Sequence, residues 1–167
     1  MPDLIINTGP LIALCAAVED LHVLKSCYDC IHVPRMVADE ISAGPQGAYD
    51  LERIRSAELF EIAEERVSID PYLTSALDLG EAAVIASALS SRVLTVSIDE
   101  RIGRRIARLH GLSVTGSTGM LLKCANSGGI SDLEDCFSAM REKGIWISDS
   151  ITRNALQHWN EGGGDGA

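Results

Sequence analysis

The sequence predicts an α/β fold of three layers, α/β/α, around a central, mainly parallel sheet of about five strands. Three observations carry that expectation. Short apolar, β-branched runs recur near residues 4, 31, 59, 93 and 112 with helical patterns between them. That alternation builds parallel sheets covered on both faces, with right-handed connections. The stretch Val93–Gly116 reads as a strand, a helix and a second strand in immediate succession. Finally, Leu77–Ser91 is a long helical segment kept thin by Ala82, Ala83, Ala86 and Ala88, which suits close packing on a sheet.

Taken in order, Asp3–Asn7 is an apolar run ending on a polar residue, followed by a turn and a helix with Pro10 in its first turn. Leu21–Leu24 reads as a short helix, and Ile31–Val33 as the next strand. Pro34 opens a helix over Arg35–Ser42, whose Met36, Val37 and Ile41 set Glu40 beside the buried edge. A loop at Ala43–Gly47 leads to a polar helix over Tyr49–Ala57 and a strand around Leu59–Ala63. Asp70-Pro71 marks a turn before Leu77–Ser91, in which Gly80 and Glu81 lie near the start. Val93–Val96 is the fourth strand. Asp99 is placed to cap a helix beginning near Glu100, in which Ile102, Ile106 and Leu109 recur at helical spacing. Gly111 stops that helix before the strand Leu112–Thr115. The last three helices start at Ser117 or Thr118, and run over Asp132–Lys143 and over Ser150–Trp159. The reading gives one domain over 1–160 and a disordered, glycine-rich tail over 161–167.

Composition narrows the function classes. With 46% hydrophobic residues the chain is globular, and with 4% aromatics its core is aliphatic and base-stacking platforms are not expected. A formal net charge of −10 argues against tight non-specific nucleic-acid binding by the whole surface. A local basic face remains open, because a cleft's field is set by its own lining, and Arg101, Arg104, Arg105 and Arg108 are the residues for it. Five cysteines without a secretory leader make a disulfide framework unexpected. The spacing Cys27-x-x-Cys30-x-His32 invites a zinc or redox reading, set against small buried thiols because no second ligand pair is present. No apolar run reaches the ~18 residues of a membrane span. A cytoplasmic location is the expectation.

Asn7 and Asp99 each come after a strand, Glu81 lies in the first turn of a helix, and Glu40 lies on the helix after strand two. Taken singly, these are also what caps, dipole-placed acids and solvated glutamates look like. Together they sit at the carboxyl edge of a parallel sheet, where open α/β folds bind ligands.

The motifs as a set resemble those of the PIN-domain nucleases. Ile5-Ile6-Asn7-Thr8-Gly9-Pro10-Leu11 is similar to that superfamily's opening motif. Val33-Pro34-x-x-Val37-x-x-Glu40-Ile41 resembles its second motif, and Leu79-Gly80-Glu81-Ala82-Ala83 its third. Leu94–Arg105 with Val114–Gly119 resembles the fourth motif together with the strand and helix after it. The likeness covers nearly the whole chain and is greatest to a prokaryotic branch related to the nuclease toxins of toxin–antitoxin pairs. It implies metal-dependent hydrolysis of RNA, with Asn7, Glu40, Glu81 and Asp99 as catalytic residues. Glu40, Glu81 and Asp99 would hold Mg²⁺ or Mn²⁺, and Thr8, Arg101, Arg104, Arg105 and Ser117 would contact nucleic acid. A small antitoxin protein and a homodimer are the further partners implied, the second resting on the apolar end that carries Trp146 and Trp159.

Most members have aspartate where Asn7 stands, and an amide oxygen ligates without adding charge. Asp78 stands close enough to Glu81 to be the third acid instead. The residues also admit two other readings: a PIN-fold module that binds nucleic acid or protein without cutting, and a phosphatase or phosphoacceptor domain. The second lacks an aspartate nucleophile at the end of strand one.

Overall fold

In a computed structural model, which describes residues 1–162, five strands form one wholly parallel sheet. They are β1 (Leu4–Ile6), β2 (Ile31–Val33), β3 (Phe60–Ile62), β4 (Thr95–Ser97) and β5 (Ser113–Thr115), in the order β3-β2-β1-β4-β5. β1 lies in the middle, and its three residues are fully buried. That burial explains why the run Leu4-Ile5-Ile6 is apolar without alternation: a central parallel strand has helices on both faces. The strand order reverses between β1 and β4. At such a switch point the loops leaving adjacent strands diverge to opposite faces and leave a crevice at the carboxyl edge.

The helices are α1 (Thr8–Ala17), α2 (Arg35–Ala43), α3 (Gly47–Ser56), α4 (Pro71–Ala76), α5 (Leu79–Ser91), α6 (Arg101–Leu109), α7 (Ser117–Asn126), α8 (Leu133–Glu142) and α9 (Asp149–Gly162). Helix α1 packs on α2, α7 and α8, while α5 packs on β1, β4 and α6. The alanines of α5 (Ala82, Ala83, Ala86 and Ala88) are all buried, so its backbone comes close to the sheet. No described helix is long and apolar enough to cross a membrane.

Several local expectations are corrected. The fourth strand is Thr95–Ser97 rather than Val93–Val96, with Leu94 64% exposed. Arg92 closes α5 in the left-handed conformation (φ 62°), so Val93 and Leu94 serve as the return to the sheet. The short helix expected at Leu21–Leu24 is present as a 3₁₀ helix over Leu21–Ser26, while Pro71–Ala76 is a short helix capped by Asp70 rather than a simple turn. Consequently the helix expected from Leu77 begins at Leu79, behind Asp78. Helix α6 does not bury Ile102 and Leu109, which are 63% and 75% exposed; it buries Gly103, Ile106 and Ala107. Gly103 sets that rotation, because a Cβ there would lie 2.5 Å from Glu81 Oε1 and 2.9 Å from Ile98 Cγ2. Trp146 is 84% exposed, whereas Trp159 is packed against the core. Of Cys27 and Cys30, expected as small buried thiols, Cys30 is a free, half-buried thiol, whereas Cys27 pairs with Cys124 as a disulfide, their Cα atoms 5.7 Å apart; Cys15 and Cys136 are free and buried. The tail expected from residue 161 lies outside the described residues from 163 onward, Glu161 and Gly162 being the end of α9.

Candidate active site

The carboxyl ends of β1 and β4 and the amino ends of α1, α5 and α7 meet at the switch point. Asn7 comes directly after β1, is 3% exposed and caps α1 through its backbone, its carbonyl accepting from Leu11 N at 3.2 Å. Its side chain makes no capping bond, and its Oδ1 is buried without a hydrogen-bond partner. A cap residue normally spends that oxygen on the helix it begins. Here the oxygen points elsewhere.

Gly80, in the first turn of α5, marks where it points. A Cβ at Gly80 would lie 2.9 Å from both Asn7 Oδ1 and Glu40 Oε2, and 3.5 Å from Asp78 Oδ1. Glycine is therefore what lets α5 come up against three side-chain oxygens. Glu40, on the outer part of α2, is fixed from the other side by Thr8, whose hydroxyl donates to Glu40 Oε2 at 2.8 Å. The same sequence stretch after β1 thus supplies both the amide and the hydroxyl that holds the glutamate.

Asp78 and Glu81 resolve into two roles. They form a reciprocal cap: Glu81 N donates to Asp78 Oδ1 at 2.8 Å, and Asp78 N donates to Glu81 Oε2 at 3.3 Å. The cap occupies one oxygen of each. Glu81 Oε1 is left over, buried and without a partner, against Gly103 of α6. Burial raises the pKa of Glu81 above its ordinary value, and the carboxylates of Asp78, Glu100 and Glu40 raise it further.

Asp99 is not the cap of α6, since Glu100 stands at that position. Asp99 reaches across instead to α7, accepting from Ser117 N at 2.8 Å and from Ser117 Oγ at 2.9 Å. Helix α7 needs this, because its own cap residue is Gly116, which has no side chain. Gly116 is in turn dictated by space: a Cβ there would lie 2.5 Å from Asp99 Oδ1 and 2.9 Å from Arg104 Nη1. Arg104 is half-buried, its Nη1 donating to Ile98 O at 2.8 Å beside Asp99. Arg101 and Arg105 are exposed and make no ion pair or side-chain hydrogen bond among the described residues.

The structure thus brings Asn7, Thr8, Glu40 and Gly80 together, sets Glu81 beside them through Asp78, and joins Asp99 to Ser117. The oxygens of Glu40, Glu81 and Asp99 do not gather within 4.8 Å of one another; among the described residues that closeness belongs to Cys30, His32 and Glu61. Two functional candidates escape sequence reading. Glu100 bears on Glu81, and its Oε1 would lie 3.3 Å from a Cβ at Gly9. Trp146 stands on the rim of a cleft of about 240 Å³ that Asp99, Ser117 and Thr118 also line. The signal for Glu100 is its place as a second acid straight after Asp99; nothing in the sequence sets Trp146 apart from a core tryptophan.

These oxygens fit a hydrated divalent cation. Asn7 Oδ1 and Glu81 Oε1 are buried and unpartnered, and burial together with the neighbouring acids raises the pKa of that same Glu81 carboxyl, a set of groups that a positive charge would satisfy. Mg²⁺ keeps several of its waters, so a few well-spaced protein oxygens suffice to hold it.

The family model that matches the chain is that of DUF3368, described as a PIN domain, over residues 3–161. The chain belongs to this PIN-domain family. Its members are in general nucleases, hydrolases that use divalent metal ions. No curated protein and no solved structure matches it.

Proposed function

We propose that this PIN domain is a metal-dependent ribonuclease that hydrolyses RNA phosphodiesters in the crevice between β1 and β4. The observation that carries the reading is two buried, unpartnered oxygens near the switch point: Asn7 Oδ1, which faces Gly80 together with Glu40 Oε2, and Glu81 Oε1, which faces Gly103. Glu40, Glu81 and Asp99 would hold Mg²⁺ or Mn²⁺ with Asn7, and Glu100 adds negative charge beside them. When bound, the ion supplies positive charge for the phosphate oxygens and acidifies a water for attack.

The chain's own residues do the rest. Thr8 holds Glu40 in place through the 2.8 Å bond from its hydroxyl. Ser117 fixes both oxygens of Asp99, so the carboxylate is oriented before substrate arrives. Glu81 Oε1, buried and unpartnered, is the oxygen that residue would turn to the ion, while its Oε2 stays in the cap to Asp78 N. Arg101 and Arg105 contact phosphates, being exposed and uncommitted to other partners among the described residues. Arg104 positions Asp99 from behind. Trp146 offers its face to a base, which gives a chain of negative charge a sequence-tolerant hold on a single strand.

The test is cleavage of single-stranded and structured RNA with Mn²⁺ or Mg²⁺ by the wild type, Glu81→Gln and Asp99→Asn. Cleavage that stops in EDTA and falls by about 10²-fold or more in either variant is the expected result. RNA that is bound by the wild type but left intact under Mn²⁺ would instead support the second reading, a binding module without cleavage. The uncharged Asn7 favours that alternative. As a finer proposal, the nuclease is the toxin of a toxin–antitoxin pair. Expression without a partner should then slow growth; an indifferent host removes the toxin role and leaves the nuclease.

A further inference from the structure

A second group of chemically reactive side chains lies away from this edge, on one face of the other wing of the sheet. Cys30 immediately precedes β2, His32 is its middle residue, and the i, i+2 spacing puts both on the same face. Glu61 of β3 is the register partner of His32, so it joins them there. The three ligand atoms lie close: His32 Nδ1 is 3.1 Å from Glu61 Oε2, and Cys30 Sγ is 3.9 Å from His32 Nδ1 and 3.7 Å from Glu61 Oε2.

We propose that Cys30 Sγ, His32 Nδ1 and Glu61 Oε2 form a binding site for a zinc-type transition-metal ion, with water as fourth ligand. The geometry can be checked against tetrahedral coordination. Zn–S, Zn–N and Zn–O bonds of ordinary length imply ligand separations of about 3.6 Å for S···N, about 3.3 Å for N···O and about 3.5 Å for S···O. The observed 3.9, 3.1 and 3.7 Å differ from these by a few tenths of an ångström. The donor set suits the ion: thiolate and imidazole select zinc over Mg²⁺ or Ca²⁺. One thiolate and one carboxylate also balance its charge.

The outer ring nitrogen supplies an independent mark. His32 Nε2 is buried and has no hydrogen-bond partner, while Asp3 Oδ2 stands 3.7 Å away. A histidine that ligates through Nδ1 carries its proton on Nε2, and metal-bound histidines usually donate that proton to a carboxylate. Asp3, just before β1, is placed for that role. The site therefore draws on three adjacent strands and would clip β3, at the edge of the sheet, to β2. A cleft of about 320 Å³, lined in part by His32, Glu61, Arg66 and Ser87, opens beside it and gives an ion access.

The experiment uses Co²⁺ as a spectroscopic substitute on the full, metal-free chain. One equivalent should bind with the strong d–d bands of tetrahedral cobalt and a thiolate-to-cobalt charge-transfer band, separate from weakly absorbing Co²⁺ at the carboxyl edge, and Zn²⁺ should displace it. Cys30→Ser should remove the charge-transfer band, while Cys136→Ser and Glu81→Gln should leave it. Should Cys30→Ser fail to fold, Glu61→Gln and Asp3→Asn, both on exposed side chains, are each expected to weaken binding about 10- to 100-fold. Octahedral bands with no tetrahedral or charge-transfer bands beside them, a charge-transfer band that survives Cys30→Ser or vanishes with Glu81→Gln, or unchanged affinity of the tetrahedral site in Glu61→Gln would overturn the assignment.

Discussion

Asp99 offers the sharpest test of how the site is held, because it carries a structural duty that can be weighed apart from chemistry. Replacing it with alanine removes the side chain that caps α7, whose own cap residue is Gly116. Loss of a cap costs about 1 kcal/mol, and loss of a carboxylate at a helix amino terminus about 0.3–1 kcal/mol more. Ser117 is 5% exposed, and its hydroxyl donates to Asp99 and to no other described group. Stranding a buried hydroxyl adds about 1–3 kcal/mol. The sum is about 2–5 kcal/mol, to which the half-buried Arg104 adds by losing its neighbouring charge. A domain of this size loses about 2–4 °C in Tm per kcal/mol. Asp99→Ala should therefore melt about 5–20 °C below wild type by far-ultraviolet circular dichroism in EDTA. Asp99→Asn keeps an oxygen for Ser117 N and an amide for the hydroxyl, so it loses mainly the charge and should fall by only about 1–4 °C. An alanine variant that melts with the wild type, or an asparagine variant that falls as far as alanine, would refute this account of α7.

Glu81 and Asn7 lead to further expected outcomes. Because folding raises the pKa of Glu81, its protonated form favours the folded state. That contribution is fully present below its ordinary value of 4.5 and is lost as pH rises through the raised one. In EDTA the wild type should lose stability across that window, and Glu81→Gln, which can keep the cap to Asp78 N, should flatten the profile. An unchanged profile would mean that the buried carboxyl bears no strain. Asn7→Asp adds a carboxylate where an unpartnered amide oxygen now lies, so it should lower Tm in EDTA while tightening Mn²⁺ binding, by thermal shift and by calorimetry. An aspartate that binds Mn²⁺ no better than the amide would place the ion away from β1.

Much of the architecture was legible because it rests on local patterning. Leu4-Ile5-Ile6 and Ile31-His32-Val33 read as strands, and the alanines of α5 announced close packing on the sheet. What escaped depends on contacts between distant segments. The capping of α7 by Asp99 joins residues 18 apart across two loops, so the nearer helix looked like its partner. The rotation of α6 is set by Gly103 lying against Glu81, a contact that periodicity within α6 does not contain. Asp78 and Glu81 looked interchangeable from spacing alone. They separate only by burial: the reciprocal cap uses one oxygen of each, Asp78 is exposed, and the oxygen left over on Glu81, Oε1, is buried and unpaired. The pairing of Cys27 with Cys124 spans 97 residues and left no local trace.

The most direct measurement is Mn²⁺ binding by isothermal calorimetry, in a Cys30→Ser background that removes the thiol on the far wing. Wild-type carboxylates should bind Mn²⁺, and Glu81→Gln and Glu40→Gln should each weaken it by at least tenfold while folding normally. Binding of equal strength in all three proteins, or none in any, would contradict a metal centre at the carboxyl edge.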